Sequence, residues 1–89
     1  LLLGAGGTSK AIAVALQEKN LNVTVLNRSI NNRDFFLNMK CKFYDWDMMK
    51  LLFDSEKIEL KYDLIINSTS AGLRDDNYPA PLEFLKPIL

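Results

Sequence analysis

The chain opens Leu1-Leu2-Leu3-Gly4-Ala5-Gly6-Gly7-Thr8-Ser9-Lys10-Ala11-Ile12-Ala13. An apolar run this short suits only a buried strand, and it meets a glycine cluster with a small-residue helical stretch directly behind it. Strand, tight glycine turn and helix form the arrangement in which a backbone wraps a phosphate. The glycines reach φ angles and allow close approaches that a side chain forbids. The helix start then offers unpaired N–H groups and the positive end of its dipole. Thr8 or Ser9 is expected to cap that helix. Ala11, Ile12, Ala13, Ala15 and Leu16 form its apolar face, and Asn20 is its expected stop.

A second strand is expected over Asn22–Asn27, which is β-branched and apolar. Two strands joined by a helix make a βαβ unit with a right-handed crossover, so the strands run parallel. Polar residues 27–33 lead into a helix from about Arg33 to Met39 whose apolar side is Phe35, Phe36 and Met39. Lys42-Phe43-Tyr44 reads as a short third strand, and Asp45 or Asp47 as the cap of a helix carrying Met48, Met49, Leu51, Leu52 and Phe53. Residues 54–61 are charged and read as loop. Tyr62–Asn67 is the clearest strand of the second half, and it ends in Ser68-Thr69-Ser70-Ala71-Gly72. Asp75-Asp76-Asn77 with Pro79 and Pro81 marks a surface loop, and a short helix is expected near the end. Such alternation predicts an α/β fold: a partial, Rossmann-type doubly wound parallel sheet of about four strands in the order 3-2-1-4. Ligands on such sheets sit beyond the carboxyl ends of the strands where the order reverses, which puts residues 4–9, 27–33 and 68–72 on one rim.

Composition narrows the function. Eighty-nine residues make at most one small domain, and such a chain buries only about 60–65% of its unfolded surface. Eleven basic residues balance 11 acidic ones, so no charge excess points to nucleic acid or a membrane surface. With no histidine and one cysteine there is no zinc pattern and no disulfide framework, and the lone Cys41 fits a reducing, cytoplasmic setting. No apolar run reaches the ~20 residues that span a bilayer. The chain starts without methionine inside an expected strand and stops on an apolar run. It is therefore expected to be one domain, 1–89, truncated at both ends.

Three segments carry chemistry. Gly4–Ser9 supplies the first two glycines of the dinucleotide fingerprint, with Ser9 where a third glycine or alanine is usual. At the end of the second strand, where an NAD-binding sheet places an acid about 20 residues past the glycines, stand Asn27 and Arg28. A carboxylate repels a 2′-phosphate, whereas arginine pairs with one and also lies on an adenine face. Arg33 adds a second positive charge, and the pattern therefore points to NADP rather than NAD. Ser68, Thr69 and Ser70 are suited either to line the path of the pyrophosphate and nicotinamide or to cap a turn. Cys41 between two lysines reads as a bystander thiol, and Trp46 with Met48 and Met49 as core or rim packing. Lys57, Lys61, Asp54 and Glu59 read as a solvated loop with no catalytic pair.

Taken together, Gly-Ala-Gly-Gly-Thr-Ser-Lys-Ala at 4–11, Asn-Arg-Ser at 27–29 and Ile-Asn-Ser-Thr-Ser-Ala-Gly at 66–72 resemble the NADP-binding domain of shikimate dehydrogenase, in order and spacing, over essentially the whole chain. The first motif is shared with glutamyl-tRNA reductase; the other two are more specific. The resemblance implies NADPH-dependent reduction of 3-dehydroshikimate to shikimate in aromatic amino-acid biosynthesis. It implies that Gly4, Ala5, Gly6, Gly7 and Thr8 wrap the pyrophosphate, with Ser9 beside them. Asn27, Arg28 and Ser29 would hold the 2′-phosphate, and Thr69 and Ser70 would lie near the cofactor. The family's second basic residue falls at Asn32 here, with Arg33 one place later, and its usual methionine after Ala-Gly is Leu73. The family's catalytic Lys–Asp pair belongs to a substrate domain expected to precede Leu1. These residues alone are therefore expected to be catalytically silent, and oligomeric state is open. The nearest alternative is a quinate/shikimate dehydrogenase or another NADP-dependent relative. Those of another class are a methyltransferase-like domain for S-adenosylmethionine, against which Asn27-Arg28 argues, and a non-catalytic nucleotide-binding module.

Overall fold

A computed structural model describes residues 1–54 and 62–69. In chain order the elements are β1 (Leu2–Leu3), α1 (Gly7–Glu18), β2 (Thr24–Asn27), α2 (Arg33–Asn38), β3 (Lys42–Asp45), α3 (Trp46–Asp54) and β4 (Ile66–Asn67). The four strands form one sheet in the order β3-β2-β1-β4, and every pairing is parallel. The expected order and direction are thus what the molecule adopts. The direction of the chain reverses its spread across the sheet at β1, between β2 on one side and β4 on the other.

Among the described residues the core divides into two clusters. Leu2, Ala5, Ala13, Val23, Val25, Phe36, Cys41 and Phe43 fill one, with Ile12, Leu16, Met39 and Ile66 packed against it. Leu3, Leu26 and Met49 form the other, bordered by Leu1, Tyr44, Trp46 and Ile65. Neighbours in β1 and β2 thus alternate between clusters, as the period of two along a strand demands. Phe36 is fully buried and stacks on Phe43 with ring centroids 6.0 Å apart. Burying a ring of this size contributes about 2–3 kcal/mol.

Several helix details differ from the sequence expectation. Neither Thr8 nor Ser9 caps α1: the N-cap is Gly6, no side chain caps the helix, and the first turn closes by Lys10 N–H donating to the Gly6 carbonyl at 3.0 Å. The apolar face of α1 is narrower than expected, with Ala13 buried, Ile12 and Leu16 half-buried, and Ala11 and Ala15 exposed. Asn20 does stop α1. It sits at φ 61°, its N–H donates to Gln17 O at 2.9 Å, and Leu21 N–H donates to Leu16 O at 3.2 Å. These are the two bonds of a Schellman motif with asparagine in the left-handed position. α2 ends the same way on Lys40, φ 65°, with Lys40 N–H to Leu37 O and Cys41 N–H to Phe36 O, both 2.9 Å. On α2, Phe36 is buried and Met39 half-buried, whereas Phe35 is exposed and carries the Lys10 ammonium 5.0 Å from its ring centroid. Asp45 caps α3 as expected, accepting from Met48 N–H at 2.7 Å.

β4 is shorter than the expected Tyr62–Asn67. It pairs only where β1 offers partners: Leu2 opposite Ile66 and Leu3 opposite Asn67. A strand exists only as far as its neighbour supplies hydrogen bonds. β2 likewise begins at Thr24 rather than Asn22.

Candidate functional site

Parallel strands place every carboxyl end on one rim, and three loops meet there: the glycine turn after β1, the loop after β2, and the start of residues 68–72 after β4. The expected rim is therefore formed as far as Thr69. Of the loop expected at 54–61, Asp54 is instead the last residue of α3, and residues 55–61 lie outside the described residues, as do Ser70, Gly72 and everything else after Thr69.

The three glycines of the turn do different work. Gly4 has φ +109°, a conformation that L side chains rarely adopt. A Cβ there would meet Thr69 Cγ2 at 3.0 Å, Ser68 Oγ at 3.1 Å and Ser9 Oγ at 3.2 Å. Gly4 is thus glycine so that the end of β1 can press against the end of β4 and the first turn of α1. Around Gly6 and Gly7 the opposite holds, since a Cβ on either meets nothing within 4 Å. Both are exposed, with Thr8 beside them. Their backbone faces open space at the uncapped helix start, where the N–H groups of Gly7, Thr8 and Ser9 precede the first intrahelical bond. An open, uncapped N-terminus with backbone donors is what an anion needs.

Ser9 is fully buried, and its hydroxyl shares a hydrogen bond with the Ser68 hydroxyl, which also donates to Leu3 O at 2.8 Å. The Ser9 side chain therefore faces inward, across the seam that Gly4 keeps narrow, and only its backbone belongs to the open helix start. Where the fingerprint asks for a small third residue to let helix and strand pack closely, serine fits because a hydroxyl partner waits opposite. Thr69 closes a local turn, its N–H and hydroxyl both donating to Asn67 Oδ1, at 3.0 and 2.6 Å.

The loop after β2 is also organised. Asn27 Nδ2 donates to Ser29 O at 2.9 Å, and Asn31 N–H to Ser29 Oγ at 3.3 Å. Asn32, in the left-handed conformation at φ 65°, donates from Nδ2 to Ala5 O at 2.7 Å. That bond ties the loop to the glycine turn, a link between residues 27 positions apart. Arg28 is exposed, with its guanidinium carbon 4.9 Å from the ring centroid of Trp46. Arg33 opens α2 and is half-exposed. It approaches Asp34 at 3.9 Å, too far for a hydrogen bond, and its Nε has no acceptor among the described residues. Two guanidinium groups thus belong to the loop beside the glycine turn, and the fingerprint's ribose-binding carboxylate is replaced by Asn27.

Trp46, expected as core or rim packing, does pack at the rim, directly after Asp45 of β3; its place beside Arg28 has no signal in the sequence beyond its position two residues past Tyr44. Cys41 is buried, receives Gln17 Nε2 at 3.3 Å, and has its thiol pKa pushed up by burial, which makes it an inert core group. No group of three or more metal-ligating side chains occurs among the described residues. No helix among them is long and apolar enough to cross a membrane. A cavity of about 670 Å³ lies at the opposite end of the sheet, lined by Leu1, Val23, Lys42, Tyr62 and Leu64 among others, none of them from the glycine turn.

No family model matches the chain. Individual relatives do. It is 39% identical over 89 residues to the shikimate dehydrogenase (NADP(+)) of Helicobacter hepaticus, a match covering 99% of this chain and 30% of that protein. It is 42% identical over 86 residues to the enzyme of the same name from Helicobacter pylori strain J99, covering 97% of this chain and 28% of the relative. The Actinobacillus succinogenes protein of that name is 31% identical over 86 residues, with 97% and 31% covered. The chain therefore spans about 30% of the length of the curated relatives it matches.

Proposed function

We propose that this chain is the NADP(H)-binding portion of a shikimate dehydrogenase, an oxidoreductase that reduces 3-dehydroshikimate to shikimate. The observation that carries this reading is the pairing of two features on one rim. An open glycine turn meets an uncapped helix start at Gly6–Thr8, and Arg28 stands at the end of the neighbouring strand where an NAD site has a carboxylate. The names of the relatives, which specify NADP(+), support it independently.

In this reading Ala5, Gly6, Gly7 and Thr8 bind the pyrophosphate through the backbone of the turn, and Ser9 contributes its N–H while its side chain locks the seam below. Gly4, also expected among the binding residues, shapes the turn instead, because its own N–H donates to Leu26 O at 2.9 Å. Asn27, Arg28 and Ser29 receive the 2′-phosphate, Arg33 adds positive charge, and Asn32 keeps the two loops in register through Ala5. Ser68, Thr69 and Ser70 flank the path toward the nicotinamide. When bound, NADPH supplies the hydride that turns a ketone into an alcohol. This chain's own share is to bind and orient. The proton donor and the pocket for the substrate carboxylate fall to parts of the protein outside these residues, so the 1–89 piece alone is inactive. A lone buried thiol fits a cytoplasmic enzyme.

The test is a titration of NADP⁺ and NAD⁺ against the protein and its Arg28→Glu variant. NADP⁺ should bind more tightly to the unaltered protein. Hydrogen bonds to a charged group contribute about 1.5–3 kcal/mol, so Arg28→Glu should weaken NADP⁺ binding roughly 10- to 150-fold and leave NAD⁺ little changed. Equal affinity for the two nucleotides in the unaltered protein would refute the reading.

A further inference from the structure

Asn27 of β2 and Asp45 of β3 are register partners. The next residue of each strand, Arg28 and Trp46, therefore leaves the sheet at the same level of the rim, and the two meet with the guanidinium carbon 4.9 Å from the ring centroid. This lies inside the roughly 6 Å over which an aromatic face attracts a cation.

The two partners are not equally free. Trp46 is the first residue of α3, whose start is fixed by Asp45 accepting from Met48 N–H. Its ring packs on the cluster of Leu3, Leu26 and Met49. Its Nε1–H is sealed from solvent and has no acceptor among the described residues, so packing rather than hydrogen bonding sets the ring's position. Arg28 is exposed, on a long stem that otherwise samples many rotamers. The fixed indole therefore restrains the mobile guanidinium, and among the described residues no carboxylate pairs with Arg28 that a phosphate would have to displace.

The place of this contact gives it a meaning. The glycine turn follows β1, Arg28 follows β2 and Trp46 follows β3, and these strands are neighbours in that order. An extended dinucleotide with its pyrophosphate at the glycine turn lays its adenosine end along the rim toward β2 and β3. We infer that Trp46 is a positioning residue for the adenosine end: it holds Arg28 where a 2′-phosphate arrives, so that less of the guanidinium's freedom is lost on binding. The inference rests on the NADP reading above and adds to it a specificity determinant that makes no contact with the phosphate itself.

The experiment is calorimetric titration of the full-length protein with adenosine 2′,5′-bisphosphate and with adenosine 5′-monophosphate, for the unaltered protein, Trp46→Leu and Trp46→Phe. An exposed cation–aromatic contact is worth enough to shift the preference for the bisphosphate about two- to fivefold. Trp46→Leu should lose that much preference while holding the monophosphate as before, and Trp46→Phe should keep most of it. Equal weakening of both ligands in Trp46→Leu would mean a merely structural role and overturn the inference, as would an unchanged ratio. If the unaltered protein shows no preference for the bisphosphate, the NADP reading fails first and this inference with it, a result distinguishable because it is seen before any substitution.

Discussion

Gly4 and Gly7 sit three residues apart in one loop, yet replacing each by alanine should have opposite consequences. At Gly4 the new Cβ is placed on a backbone at φ +109° and meets Thr69, Ser68 and Ser9 atoms at 3.0, 3.1 and 3.2 Å. A glycine-only backbone conformation costs about 1–3 kcal/mol for another residue, and overpacking of a close seam about 1–3 kcal/mol more. The neighbours have little room to yield, because Ser9 and Ser68 are bonded to each other and Ser68 to Leu3 O. The sum, about 2–6 kcal/mol, is a large share of the roughly 4–13 kcal/mol expected of a domain this size. With a urea slope of about 1 kcal/mol per molar, the unfolding midpoint of Gly4→Ala should fall by at least about 2 M. At Gly7 nothing lies within 4 Å of the new methyl, and the residue is already in helix. Alanine is the better helix former, so Gly7→Ala should leave the midpoint unchanged or raise stability by up to about 1 kcal/mol. Its methyl instead occupies the open approach to the helix start, and dinucleotide binding should weaken. Urea melts followed by circular dichroism, with nucleotide titration on the same samples, separate the two effects. A Gly4→Ala protein as stable as its parent, or a Gly7→Ala protein that binds as tightly, would refute the division of labour between these glycines.

The tie from Asn32 to Ala5 can be tested by a pair of substitutions. Asn32→Gly removes the 2.7 Å bond but suits the φ of 65°, and should cost about 0.5–1.5 kcal/mol; Asn32→Ala adds left-handed strain, for a total of about 1.5–3.5 kcal/mol. Thermal melts that leave Asn32→Gly unchanged would show that the tie contributes nothing. Lys40 is exposed at φ 65°, where a non-glycine residue loses about 1–2 kcal/mol and glycine's extra chain entropy costs back about 0.5–1, so Lys40→Gly should stabilise by up to about 1.5 kcal/mol. A lower melting temperature would count against that sum. Burial raises the Cys41 thiol pKa; it also raises Tyr62, helped by nearby Tyr44 and opposed by a hydrogen bond with Thr24. Groups that hold their protons more tightly when folded favour the native state below their ordinary values of 9.0 and 10.0, and that contribution disappears as pH climbs through the raised values. Urea midpoints should accordingly fall above about pH 9, less steeply in Cys41→Ala, and a midpoint that rises over this range would contradict the burial of both groups.

Much of the molecule was already legible in its residues because the relevant physics is local. The apolar run into a glycine cluster, the β-branched second strand, the Asn20 stop and the Asp45 cap each depend on a few neighbours in sequence, and the right-handed crossover rule turns those pieces into one strand order. The rim follows from that order, and Arg28 stands on it because it immediately follows a strand. What sequence could not supply were contacts between distant residues. Nothing near Ser9 announces that its hydroxyl will face Ser68, 59 positions away, or that Gly4 is glycine because of Thr69 rather than because of a ligand. Nor does the loop after β2 announce that Asn32 will reach back to Ala5 or that Trp46 will carry Arg28. Local pattern set the strands and their carboxyl ends; only packing, which brings separate loops to within hydrogen-bond distance, decided which small residues stay open on the rim and which lock the seam beneath it.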